Sequence, residues 1–275
     1  MNAKDLASRS IAQLISLRGR RSVITGAARG LGYAIARRFA EAGADIFIGD
    51  KNEAGAATAA QELREAFGCA AASSVLDVRD AQSMARFADA ADHAMGGVDV
   101  WVNNAGIFPA ALLTETTDDE WDLVHAVNLR GTFLGCREAA TRMEKAGRGV
   151  IINITSVSGY RGRASLAHYV AAKHGVAGLT KALAMELGPK GVRVVAVSPA
   201  MTETPGLDEQ RARTAGSADA AQGFRELEQK ITATIPLRRL GHPDDVARVV
   251  LFAASDLAAF VTATTVFCDG GVSAF

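Results

Sequence analysis

The segment TGAARGLG, Thr25 to Gly32, constrains this chain more than any other, because it stands between a short apolar run and a helix-forming one. Arg21 to Thr25, with Val23 and Ile24, reads as a strand, and YAIARRFAEAG reads as a helix that Gly43 ends. Gly26, Gly30 and Gly32 lack the side chains that would block a tight turn, so backbone NH groups at a helix N-terminus can approach a pyrophosphate. Arg29 and Leu31 complete the loop. A glycine-rich turn alone could be no more than a loop. Here DIFIGD follows as a second strand and ends in Asp50, roughly twenty residues beyond the loop, the context a dinucleotide site requires.

The alternation continues with a helix from Glu53 to Phe67, a strand AAASSVL ending at Asp77, a helix from Ala81 to Met95 and the strand VDVWVNNAG. GVIINIT and VRVVAVS supply a fifth and a sixth strand, and TTVFCDGG a last one. The pattern specifies an α/β fold of Rossmann type, a doubly wound parallel sheet of about seven strands with helices on both faces. Ligands of such sheets lie at the carboxyl ends of the strands. That edge receives Asp77 and Val78, beside which an adenine would rest, then Asn103, Asn104, Ala105 and Gly106, then Ser156 and Pro199. NNAG also reads as a simple turn. Thr117, Asp118, Asp119 and Glu120 form a capping box that opens a long helix; Trp121, Val124, Leu129, Phe133 and Leu134 give its apolar face, which Asn128 interrupts. Pro243, with two aspartates after it, suits another helix start.

Asp50 bears on the choice of cofactor. A carboxylate at that strand end accepts hydrogen bonds from both adenosine-ribose hydroxyls but faces the 2′-phosphate of NADP with like charge. At ~4 Å and an effective dielectric of ~20, each such pair costs about 4 kcal/mol before screening, so NAD is expected. Arg29 pulls the other way, since it could reach a 2′-phosphate.

From Met201 to Pro236 the composition turns polar and alanine-rich, with isolated apolar residues at Leu207, Phe224, Leu227 and Ile231. This stretch reads as a lid over the substrate, partly helical from about Ala220; the alternative is a solvated excursion. Residues 1–20 form an extension, read as a short amphipathic helix docked on the domain or on a neighbouring subunit, with an organelle transit peptide as the other reading. Residues 21–275, lid included, read as one nucleotide-binding domain.

Equal numbers of basic and acidic residues, 30 of each, leave no net charge to draw the chain to nucleic acid or an anionic membrane. No apolar run approaches the ~18 residues of a membrane span, and the start lacks the order of a secretory signal. Cys69, Cys136 and Cys268 show no CxxC spacing, so reduced thiols in the cytoplasm are expected, with no disulfide framework and no metal site.

The chemistry is expected between Thr155 and Lys173, in TSVSGYRGRASLAHYVAAK. On a helix starting near Leu166, Tyr169 and Lys173 are four residues apart and share a face. The ammonium would bring the phenol's pKa toward a range useful for proton transfer, while Ser156 holds a substrate oxygen. A surface helix with an incidental Tyr and Lys is the bland alternative.

From about Arg21 to Gly271 the chain resembles the short-chain dehydrogenase/reductases, in their compact branch. The likeness rests on TGAARGLG, Asp77, NNAG, Asn128, Ser156, YVAAK and the closing DGG, in the family's order. It implies a catalytic group of Ser156, Tyr169 and Lys173 assisted by Asn128, whose backbone carbonyl would hold a water leading from Lys173 to solvent. Tyr169 and Lys173 would also meet the cofactor, Lys173 through the nicotinamide ribose, with Pro199, Thr202 and Thr204 at the nicotinamide end. The resemblance further implies a homotetramer, in which the long helices after Thr117 and Ser165 pair across one interface and the last strand across another. Three departures stand out: Pro199-Ala200 where the family has Pro-Gly, Val195 in place of an Asn, and Ala263 where a Gly precedes the last strand.

The expected activity is oxidation of a secondary alcohol, or reduction of the ketone, with NAD. An NADPH-dependent ketoacyl reductase and a nucleotide-sensing regulator without turnover are the rivals. Phe108, Pro109, Ser158, Tyr160 and the lid would line a pocket for a small, moderately apolar alcohol, whereas Arg161 and Arg163 would suit an anionic one.

Overall fold

The computed structural model describes residues 3–214, 226 and 228–274. Its centre is a seven-stranded sheet in the order β3-β2-β1-β4-β5-β6-β7, every neighbouring pair parallel. The strands are β1 (Arg21–Thr25), β2 (Asp45–Asp50), β3 (Ala71–Val75), β4 (Val100–Asn103), β5 (Gly149–Ile154), β6 (Val192–Pro199) and β7 (Thr265–Cys268). The order reverses between β1 and β4, where a crevice opens at the strand ends.

Because both faces are covered, the inner strands are apolar almost without interruption; all six residues of β5 are buried. Successive residues feed opposite cores. Ile46 and Ile48 join Ile35 and Phe39 of the helix Gly30–Glu41, Leu63 of Glu53–Phe67 and Val246 and Val250 of Pro243–Ala254. Phe47 packs instead with Met84 and Phe87 of the helix Ala81–Met95, and with residues of two further helices, Leu134 and Met143 of Gly131–Ala146 and Leu187 of Ala167–Leu187. A smaller cluster joins Val157 and Val272 to Ile235 of the lid region.

Four details depart from the sequence reading. The third strand stops at Val75, so Asp77 and Val78 lie in the loop after it. The helix opened by Thr117 is interrupted: Asp118–His125 passes through one π turn, Ala126–Arg130, before Gly131–Ala146. Of its expected apolar face, Val124 and Leu134 are buried, but Trp121 and Phe133 remain exposed, at 39% and 44%. They stand on the outer side, Trp121 stacked on His125 and Phe133 beneath Arg137. The extension carries two short helices, Ala3–Ala7 and Ile11–Ile15, rather than one. It docks on its own domain through buried Leu17 and through Arg9 and Arg20, both 3.0 Å from Asp256.

In the lid region Pro205–Thr214 is helical, as are residues 228–234. Arg211 joins the two stretches by pairing with Glu228. Leu207 is buried; Phe224, Leu227 and the expected helix start near Ala220 lie outside the described residues.

Candidate active site

One cleft of about 590 Å³ opens along the carboxyl edge of the sheet. Its lining includes Gly26, Arg29, Gly30, Leu31, Gly32, Asp50, Asp77, Val78, Asn104, Ala105, Gly106, Asn128, Ser156, Tyr169, Lys173, Pro199, Thr202 and Thr204. Every catalytic and cofactor-binding residue expected from the sequence thereby lies along one cleft. Phe108, Ser158 and Arg163 line it too, but Pro109, Tyr160 and Arg161 do not. The Tyr160 hydroxyl bonds Thr265, its ring packs edge-on to Phe267, and Arg161 donates to the Val272 carbonyl at 2.8 Å.

At the nucleotide end the glycines answer to geometry. Gly26 has φ +66°, and a Cβ on Gly32 would lie 2.3 Å from the Gly26 carbonyl oxygen, so neither position accepts a side chain. Asn104 clamps this loop: its amide donates to the carbonyls of Thr25 and Gly26 at 3.0 and 2.9 Å. Thr25, passed over in the sequence as a plain strand end, accepts from the backbone NH groups of both Asn104 and Ala105 through its Oγ1. Only its position at the strand–loop junction could have singled it out. Asp50 accepts from Ala28 N and Asn52 N, one bond to each carboxylate oxygen, which leaves lone pairs for ribose hydroxyls. Arg29 is paired with Glu209 on the lid helix, 2.6 Å from it. Asp77 is held by Arg79, which keeps its carboxyl at about 2. A tight loop clear of side chains, NH groups at a helix start and a fixed carboxylate at the second strand end fit a dinucleotide.

At the other end the helix Ala167–Leu187 presents Tyr169 and Lys173 on one face, Nζ 5.6 Å from the centre of the phenol ring. Lys173 is buried, donates to the Ile154 carbonyl at 2.8 Å, and burial pushes it down to about 8. The phenol departs from expectation. Burial raises the Tyr169 pKa, and the groups that act against this are the Ser156 hydroxyl and the charge of Arg163, with Lys173 not among them. Ser156, at the end of β5, also accepts from Ser158 N at 3.1 Å.

Asn128 sits within the π turn, whose widened backbone the sequence does not signal. Its amide nitrogen donates to the carbonyls of Ile107 and Val124, and its backbone carbonyl accepts from Thr132. Among the described residues its Oδ1 is buried without a partner. Gly106 keeps the space beside it clear, since a Cβ there would stand 2.8 Å from Asn128 Oδ1 and 3.8 Å from Lys173 Nζ. The DGG motif has a structural use: Asp269 accepts from Gly271 N and Ser273 N and fixes the chain's last turn.

The family model described as enoyl-(acyl carrier protein) reductase matches residues 26–273. A 3beta-hydroxysteroid dehydrogenase 1 of Eggerthella lenta is 39% identical over 94% of this chain and 95% of its own length. The chain belongs to the short-chain dehydrogenase/reductase family. Within that family a 3-oxoacyl-(acyl-carrier-protein) reductase of Aquifex aeolicus is 35% identical over 94% of this chain and 99% of its own length. A crystal structure described as a gluconate 5-dehydrogenase from Burkholderia cenocepacia, in complex with NADP and tartrate, aligns with a TM-score of 0.87. It is 34% identical, over 97% of this chain and 100% of that one. This short-chain dehydrogenase/reductase is therefore an oxidoreductase that uses a nicotinamide cofactor. Among the described residues no helix is long and apolar enough to cross a membrane, and no group of three or more His, Cys, Asp or Glu is placed to hold a metal ion.

Proposed function

We propose that the protein is an NAD-dependent dehydrogenase that interconverts a secondary alcohol and its ketone. The observation that carries the reading is the convergence of Ser156, Tyr169 and Lys173 at the end of the cleft that begins at the glycine loop. Bound along that cleft, the nicotinamide supplies the hydride-accepting carbon. The residues do the rest. Ser156 holds the substrate oxygen, Tyr169 takes the alcohol proton, and Arg163 and Ser156 favour the phenolate against the cost of burial. Lys173 binds the nicotinamide ribose and, with its pKa near 8, passes protons on past Asn128 in the ordinary pH range. Phe108, edge-on to Tyr169 at 6.2 Å between ring centres, excludes water from that side.

The preference for NAD rests on Asp50, held by two backbone NH groups, and on Arg29, which is already paired with Glu209. The second reading, an NADPH-dependent reductase, is favoured by the NADP found with the gluconate 5-dehydrogenase and by the 3-oxoacyl reductase relative. Exposed Trp121, Leu123, Phe133 and Met185 on the helices after Thr117 and Ser165 support association with further copies of the chain, as a homotetramer.

The test is Tyr169→Phe, which keeps the ring and deletes the acid–base group. Across a panel of secondary alcohols, turnover falls ~10²–10⁴-fold while nucleotide affinity stays within a few-fold. A variant that keeps more than about a tenth of its turnover would mean that another residue moves the proton.

A further inference from the structure

The charges along the cleft are unevenly distributed. Its acidic lining residues are Asp50 and Asp77, both at the adenosine end and both engaged, by backbone NH groups and by Arg79. At the reacting end the charged residues are Lys173 and Arg163, with no acid beside them. Lys173 spends a hydrogen bond on the Ile154 carbonyl. Among the described residues Arg163 has no hydrogen bond and no ion pair, in contrast to Arg161, which is tied to Val272.

The backbone on either side of Arg163 is anchored. Its loop is pinned on one side by Arg161 on Val272 and on the other by Ser165, whose carbonyl accepts from Ala111 N at 3.0 Å. Ser165 adopts φ +62°, a left-handed conformation costly for a serine, of the kind that clusters at ligand-binding segments. Although the residue is exposed as a whole, burial lowers the Arg163 pKa, and its charge is felt by the Tyr169 phenol. A guanidinium without a counter-ion at the mouth of a site is free to take an anion.

We infer that the substrate is a hydroxy- or oxo-carboxylate whose carboxylate, a few bonds from the reacting carbon, is bound by Arg163 while its hydroxyl or carbonyl lies between Ser156 and Tyr169. The inference deepens the oxidoreductase reading above and rests on it. The carboxylate takes no part in the chemistry: the carbinol carbon is oxidised as the nicotinamide is reduced, and the hydroxyl proton leaves through Tyr169. A planar carboxylate suits the guanidinium fork better than a phosphate monoester at the same position, because both of its oxygens can be met in one plane. Phe108 and Leu166 line the same cleft and offer apolar surface to the carbon chain.

The experiment compares aliphatic hydroxy acids with their methyl esters and with phosphate-bearing alcohols of equal length, using NAD and NADP. Wild type, Arg163→Lys and Arg163→Gln are assayed for kcat and KM, and hydroxy-acid binding to the nucleotide-saturated enzyme is followed by calorimetry. The acids are expected to exceed the esters at least tenfold in kcat/KM. In Arg163→Gln that ratio collapses through a ~10–100-fold rise in KM for the acids, the size of a lost charge-assisted hydrogen bond, and Arg163→Lys keeps part of it. Esters or neutral alcohols preferred by the wild type, phosphates preferred to carboxylates, or a ratio unchanged in Arg163→Gln would each overturn the inference and leave the oxidoreductase reading intact. If no alcohol is turned over with either nucleotide, the proposed secondary-alcohol dehydrogenase reading fails instead. Calorimetry then decides: acid binding that depends on Arg163 supports the anion site, and its absence overturns it.

Discussion

Replacing Lys173 with Met is expected to abolish turnover and yet to stabilise the cofactor-free protein near neutral pH. The ammonium is 4% exposed, and its pKa falls from 10.5 to about 8 on folding. At ~1.4 kcal/mol per pKa unit, carrying the charge in the folded state costs about 3 kcal/mol below pH 8. Met has a similar length and removes that cost, but it strips the Ile154 carbonyl of its donor, a loss of ~1–2 kcal/mol. The variant is thus more stable than wild type by ~1–2 kcal/mol at pH 7. Between about 8 and 10.5 the unfolded wild-type chain binds more protons than the folded one, so wild-type stability rises with pH relative to the variant. Above 10.5 the order inverts, and the variant is the weaker by the lost hydrogen bond. Urea denaturation of both proteins at pH 7, 9 and 11, by their roughly linear dependence on denaturant, gives the two curves. A difference that stays constant across this range, or a variant weaker at pH 7, would refute the claim that a strained buried charge sits beside Tyr169.

In titrations of the free enzyme NAD binds at least about tenfold more tightly than NADP, because Asp50 opposes the extra phosphate and Glu209 competes for Arg29; equal affinities would count against this. Ala263→Gly raises stability by ~0.5–1 kcal/mol in thermal unfolding, since Ala263 holds φ +59°, where glycine is at ease. Ala200→Gly gives no such gain, because Ala200 is not in that region, and a gain there equal to that at Ala263 would contradict the reasoning. Light scattering at micromolar concentration is expected to show a homotetramer, and a clean monomer would exclude it.

The layout of the sheet was legible because each strand carries its own signal. Runs such as GVIINIT are apolar on both faces, and the residues that matter for chemistry sit where those runs stop. Legibility failed where structure depends on what a residue meets in space. Nothing in AVNLR announces a π turn, so the outward placement of Phe133 could not be foreseen. The four-residue spacing did bring Lys173 to the Tyr169 ring, but sequence spacing carries no measure of solvent. Burial reversed the expected direction of the phenol's shift and gave the compensating charge to Arg163, six residues earlier in a loop. Tyr160 likewise read as a pocket residue from its neighbours, although its hydroxyl is taken by Thr265 on the far strand.

The reversal of strand order between β1 and β4 divides the sheet into two blocks, each continuous in sequence, that meet along a single seam. One block contributes the glycine loop, Asp50 and Asp77; the other contributes Asn104, Asn128, Ser156, Tyr169 and Lys173. Anything long enough to touch both sets therefore acts as a cross-brace between them. At a hundredfold excess over its dissociation constant such a ligand adds about 2.7 kcal/mol to the folded state, a sizeable part of what holds an ordinary domain together. The stability of the folded protein is thereby tied to the supply of its own nucleotide.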